Sequence, residues 1–135
     1  MLQKLDPVFA LGGRILLALI FVLSGINKII GYAGTVGYME AFGVPGLLLP
    51  LVIVLEIGAG LLLVVGFQAR WAALALAGFT LVAAVIFHSN FADQSQMIAF
   101  LKNLSIVGGL LFVARFGAGE LSLDARQGGG RRAAA

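Results

Sequence analysis

The chain of 135 residues has no cysteine, so disulfides, thiolate catalysis, thiolate-bound zinc and ordinary iron–sulfur ligation are excluded as activities of its own. A self-contained thiol relay is excluded with them. It has one histidine, His88, and three scattered methionines, which give no bis-axial pair for heme. No convergent set of ligands marks a metal site, so neither heme nor metal is expected from this chain. Phosphate-binding loop, dinucleotide fingerprint and nucleophile elbow are all missing, leaving ATP, NAD and hydrolase chemistry without support. Charge is scarce as well. Only 11% of residues are charged, against about 25% in a soluble domain, while 61% are hydrophobic and mean hydropathy is +1.07. Such a chain is made for lipid, and its length permits one domain. The pI of about 9.8 does not point to nucleic acid, because the basic residues stand at the ends of apolar segments, as topology signals do.

What the sequence does contain is four long apolar runs, at about 8–30, 47–66, 71–87 and 97–116. Each approaches the roughly 20 residues that carry a helix across a bilayer. The expected fold is all-α, an integral membrane four-helix bundle over residues 1–117, followed by a flexible Gly/Ala/Arg-rich tail at 118–135. Order in that tail would imply a partner. Lys4 and Arg14 flanking an apolar core, with Gly31-Tyr32-Ala33 beyond it, also fit a signal peptide; a chain starting at Met1 favours a retained helix. Between the first two runs, Gly31, Gly34, Gly37, Gly43 and Pro45 prevent one long helix. Thr35 to Phe42 is expected as a short interfacial helix, with Tyr32, Tyr38, Met39 and Phe42 at headgroup level. The tight turn at Phe67 to Arg70 makes the second and third spans antiparallel neighbours. Small residues such as Gly58-Ala59-Gly60 and Gly108-Gly109 suit close packing in lipid.

Four spans put both termini on one side. That side carries Lys4, Arg14, Arg70, Arg115, Arg126, Arg131 and Arg132, and the other carries Lys28 and Lys102. The bias places both termini in the cytoplasm of a bacterial inner membrane, with the 31–46 connection and the 88–96 loop facing outward.

Function must be sought in the polar residues inside the spans. Glu56 lies near the middle of LLLPLVIVLEIGAGLLLVVG, about ten residues or 15 Å from the outer end. A charge at that depth costs about 2.5–3.5 kcal/mol on insertion scales, so the acid must be neutral, paired or turned to a polar cavity. By depth the polar groups form a ladder: His88 and Lys28 outermost, then Lys102, Asn103 and Ser24, then Glu56, then Arg14. Such a ladder suits a small polar headgroup drawn from the bilayer, and a quinone fits in type. Glu56, Lys102 and His88 are the candidates for proton exchange, and Arg14, Ser24, Lys28 and Asn103 those for headgroup binding. Phe21, Phe79, Phe87 and Phe100 are candidates for the ring slot. Plainer readings stand beside these. Glu56 with Arg14 can be a buried pair fixing helix register, Lys28 an interfacial anchor, His88 a solvated loop residue, and the phenylalanines core or lipid-facing.

Several ordered motifs carry a family resemblance. They are Arg14 with FVLSGINK at 21–28, Gly43-Val44-Pro45, Glu56-Ile57-Gly58-Ala59-Gly60 with Gly66 and Arg70, and Lys102-Asn103-Leu104 with Gly108-Gly109-Leu110. From about Leu5 to Phe116 the sequence resembles the DoxX family of small four-span bacterial membrane proteins. The resemblance implies a membrane oxidoreductase, or the membrane subunit of one, acting on quinones, with any headgroup site drawn from Arg14, Ser24, Lys28, Glu56, Arg70, Lys102 and Asn103. Thiol-exchange roles of relatives do not carry over to a chain without cysteine. The competing expectation is a non-catalytic accessory subunit of a larger redox or transport complex, or a homo-oligomer in lipid. A small transporter or channel is disfavoured, because four spans with few polar residues make a poor pore.

Overall fold

The structure is a computed structural model, and it describes residues 2–127. Arg131, Arg132 and the rest of the expected tail beyond 127 lie outside the described residues. A single 3-10 turn at Leu2–Leu5 leads into α1 (Asp6–Ile30), whose Pro7 occupies the first turn, where a missing N–H costs nothing. After Gly31 the chain resumes as α2 (Tyr32–Ala41), so the expected short helix is real and starts earlier than Thr35. Gly43, at φ 79°, ends it, and the Val44 N–H returns to the Met39 carbonyl at 2.9 Å. A 3-10 turn at Gly46–Leu48 then opens α3 (Leu49–Val65). Gly66, at φ 71°, closes α3 in the left-handed conformation, and the Phe67 N–H reaches the Leu62 carbonyl at 3.0 Å. α4 (Ala69–Phe87) and α5 (Gln94–Phe116) follow.

Four of these helices have the length and apolar composition to cross a membrane, and no strand occurs among the described residues. The helices pack in the order α1, α3, α4, α5. In lipid there is no hydrophobic gain from pairing apolar helices, so close approach has to hold them. Gly60 supplies it for α1 and α3: a Cβ there would stand 2.8 Å from Val22 Cγ2. The buried Ala69, Ala72, Ala73, Ala77 and Ala84 supply it along α4. α1 and α5 close the ring where Leu17 covers Gly109, a Cβ at Gly109 lying 3.1 Å from Leu17 Cδ2. Leu16, Leu51, Val54 and Phe112 point outward, as lipid-facing residues do.

Residues 117–127 fold back across the α3–α4 turn. Asp124 accepts from the backbone N–H groups of Gln68 at 2.7 Å and Ala69 at 2.9 Å, and its own N–H donates to the Gly66 carbonyl at 2.9 Å. These are the free donors of the α4 N-terminus, which a carboxylate is suited to cap. The partner for this part of the expected tail is the chain itself.

Candidate functional site

Glu56 is 1% exposed, on the inner face of α3, and its Oε1 lies 2.6 Å from Lys28 Nζ. Lys28 also donates to Ser24 Oγ at 2.6 Å, one turn back along α1. Lys28, Ser24 and Glu56 therefore form one cluster. Two of the three ammonium donors are spent within it, and among the described residues no protein donor meets Glu56 Oε2.

One of the plainer sequence readings paired Glu56 with Arg14, and the structure pairs the acid with Lys28 instead. Arg14 is 2% exposed and donates to the carbonyls of Leu63 at 2.7 Å and Val64 at 3.1 Å, and to that of Leu121. It stands at the far end of α3, closing the helix's last carbonyls with a cation, where a positive charge is favoured. The physical reason is side-chain direction. Helical side chains tilt towards the helix N-terminus. On α1 that tilt carries Lys28 down from the loop end towards Glu56, and carries Arg14 away from Glu56 towards the end that holds the termini. Depth counted along the sequence placed Lys28 too high and Arg14 too deep.

The cluster forms part of the wall of a cavity of about 450 Å³ bounded by α1, α3, α4 and α5 and covered at the loop end by α2. Its walls are mostly carbon, including Ile20, Phe21, Val52, Phe79, Ile86 and Phe87. The polar groups that reach it are Ser24, Lys28, Glu56, Thr35, Tyr38, Thr80, His88 and Asn103. Of the residues singled out in the sequence, Glu56, Ser24, Lys28, Asn103 and His88 thus share one chamber. Arg14 and Lys102 do not line it: Arg14 is engaged as above, and Lys102 is exposed on α5. α5 runs opposite to α1, so the same N-terminal tilt directs a lysine there towards the loop end. Phe100 is also elsewhere, edge-on to Phe91 at 5.1 Å. Arg70 belongs to the other end of the molecule, beside Gly117.

At the loop end the cavity is roofed by aromatics. Tyr38 stacks on Phe87 at 5.3 Å, and Phe42 meets both rings at 5.0 and 5.2 Å. His88 Nδ1 lies 2.8 Å from Gln96 Oε1, tying the start of the 88–96 loop to α5. Sequence reasoning missed Tyr38 and Met39 as cavity residues because it spread α2 along the interface instead of over the bundle. It also passed over Thr80, the lone hydroxyl in an alanine-rich helix, and that singularity was the available signal.

A four-helix membrane bundle with a buried acid–lysine pair on an apolar chamber is the class that fold and site define. The family model for DoxX matches residues 9–89, and the chain belongs to the DoxX family. Two relatives, both from Escherichia coli strain K12, cover nearly the whole chain. The inner membrane protein YqjF is 52% identical over 123 residues, 91% of this chain and 95% of the relative. The inner membrane protein YphA is 41% identical over 127 residues, 89% of this chain and 91% of the relative. No solved structure matches the chain. With four spanning-length helices and relatives of that kind, the chain is a multi-pass protein of the inner membrane.

Proposed function

We propose that the protein holds the headgroup of a quinone-type bilayer molecule in the α1–α3–α4–α5 cavity, as the quinone-side subunit of a membrane oxidoreductase. The observation that carries this reading is the Lys28–Glu56–Ser24 cluster facing a chamber whose other walls are mostly carbon. Its 450 Å³ lies within the roughly 300–1,000 Å³ of small-molecule sites. Phe21, Phe79 and Phe87 offer flat apolar walls to a ring, and the remaining N–H of Lys28 is free to meet a carbonyl oxygen. When bound, a quinone supplies a couple that takes up two electrons and two protons. The chain's own part is to hold the ring, keep water out and move protons. Glu56 is the group placed to give and take a proton at the ring oxygen, with Lys28 restoring charge balance beside it. His88 lines the same cavity and is held by Gln96 at the start of α5. Electrons come through a bound cofactor or a redox-active partner subunit; with no cysteine and one histidine, the chain does not itself ligate an iron–sulfur cluster through thiolates or a bis-histidine heme. The excess of basic residues at the end with the termini supports a cytoplasmic position for that end, with the cavity then in the outer half of the membrane.

The test is saturable binding of a short-chain benzoquinone to the purified protein in lipid nanodiscs. The expected result is binding that weakens about tenfold or more in Glu56→Gln and Lys28→Met, with helix content unchanged. Absence of saturable binding to the wild type sinks the reading.

A further inference from the structure

α4 is built almost wholly of carbon, and between Ala69 and Phe87 Thr80 is its only hydroxyl. A helical Ser or Thr commonly donates its hydroxyl to the carbonyl four residues earlier. Thr35 does so to Gly31 at 3.0 Å and Ser105 to Leu101 at 3.2 Å, while Ser24 is engaged by Lys28. Thr80 departs from this pattern. It is 4% exposed, its Oγ1 is buried with no partner among the described residues, and the residue lines the same cavity as Glu56.

Depth places the two residues together. Glu56 and Thr80 each lie seven residues from the loop-end terminus of their antiparallel helices, roughly 10 Å in. The acid–lysine cluster therefore faces the cavity from α1 and α3, and the hydroxyl belongs to α4 at the same level. Helical threonine has two χ1 wells open to it, and rotation between them exchanges methyl and hydroxyl without moving the backbone. The hydroxyl can be offered to a ligand at little cost.

We infer that Thr80 is the second hydrogen-bonding contact of this cavity and determines which molecules it accepts: a ring carrying oxygens on two sides, over a lipid with one polar end. The inference rests on the proposed quinone site and names the residue that sets its selectivity. A buried hydroxyl without a partner penalises the empty protein, and a ligand oxygen that meets it removes the penalty. A one-oxygen ligand anchored at Lys28 leaves Thr80 unpaired and gains nothing from it.

The experiment compares a short-chain benzoquinone with a 4-alkylphenol of equal chain length, on the full chain in nanodiscs. Wild type is expected to bind the quinone more tightly. Thr80→Val, which keeps shape and removes the hydroxyl, is expected to weaken the quinone about tenfold, leave the alkylphenol unchanged, and melt no lower than wild type without ligand. Thr80→Ser is expected to restore most of the loss, and it serves alone, as a hydroxyl-retaining control against Thr80→Ala, should Thr80→Val not fold. Quinone binding by wild type that is equal in Thr80→Val, or a loss shared by both probes, overturns the role of Thr80 alone. Wild type that binds neither probe overturns the quinone site and this inference together.

Discussion

Gly25 of α1 lies so close to Ile57 of α3 that a Cβ added to the glycine would stand 2.5 Å from Ile57 Cγ1. The contact falls one turn from Lys28 and one residue from Glu56, so the absence of a side chain at position 25 is what lets the two charges meet. Gly25→Ala gains up to about 1 kcal/mol of helix propensity. Against this, Ile57 Cγ1 sits on a stiff β-branched centre and cannot swing aside, and overpacking of this kind costs about 1–3 kcal/mol. The clash is expected to win. Thermal unfolding in detergent should show Gly25→Ala less stable than wild type, with Ile57→Ala in the same chain recovering the loss non-additively. Gly12, with nothing near its would-be Cβ, is the control: Gly12→Ala should be neutral or stabilising. Equal effects at the two glycines would remove the close contact from the account.

The Lys28–Glu56 pair separates stability from function. Removing one partner of a fully buried pair costs about 3–5 kcal/mol, but Lys28 is 25% exposed and part of that is screened. Glu56→Gln is therefore expected to lose about 1–3 kcal/mol, leaving an ammonium in an apolar wall. Replacing both residues, with Lys28→Met and Glu56→Leu together, should return most of the stability, because apolar substitutes of similar volume often match a buried pair. Ligand binding should not return with it. Unfolding curves and quinone titrations on the same samples check both halves, and a double variant that still binds would assign the pair to structure alone.

The four spans were legible because hydrophobic length is a strong signal, and the structure's helices agree with the expected ones to within a few residues. That Glu56 needed company was legible too, from the cost of a buried carboxylate. Its partner was not. Position along a helix gives Cα depth, whereas Lys28 and Arg14 act some distance from their Cα atoms, in a direction set by which way the helix runs. The cavity was invisible for a related reason. Its roof is α2, and periodicity cannot say whether a ten-residue helix rich in glycine lies flat on the membrane surface or folds over the bundle. Thr80 shows a third limit: a residue that looks inert in sequence stands out only once its missing partner can be seen.

Asp93 gives a pH-dependent contact outside the membrane. As N-cap of α5 it accepts from the Ser95 N–H at 2.9 Å and the Ser95 hydroxyl at 2.7 Å. The Ser95 side-chain bond, followed by the backbone one, holds its carboxyl below the ordinary value of 3.8. A depressed folded-state pKa means stability that is present above the unfolded value and lost as pH falls through the folded one. Asp93→Ala should therefore melt below wild type near neutral pH. The gap should begin to narrow as pH falls below the ordinary carboxylate value of 3.8 and go on narrowing as pH passes through the cap's own lower value. A gap that stays constant to low pH would mean the carboxylate charge plays no part.

Arg14 and Asp124 close the opposite end of the bundle from two sides, and their loss should be felt in different amounts. Asp124→Ala removes the acceptor for Gln68 and Ala69 N–H groups, a capping loss of about 1 kcal/mol. Gln68 itself holds φ 49°, a strained value for a residue with a side chain, so the cap also fixes a turn that would otherwise relax. Gln68→Gly should then offset part of the Asp124→Ala loss. Arg14→Ala should cost more, about 2–4 kcal/mol, since it empties a buried guanidinium site and removes one donor from the Leu63 carbonyl and from the partly buried carbonyls of Val64 and Leu121 at once. Ending the chain after Phe116 removes Leu121 and Asp124 together, and its cost should exceed that of Asp124→Ala. Denaturation of these variants in one detergent checks the order. Truncated protein as stable as wild type would show that residues 117–127 rest on the bundle without supporting it.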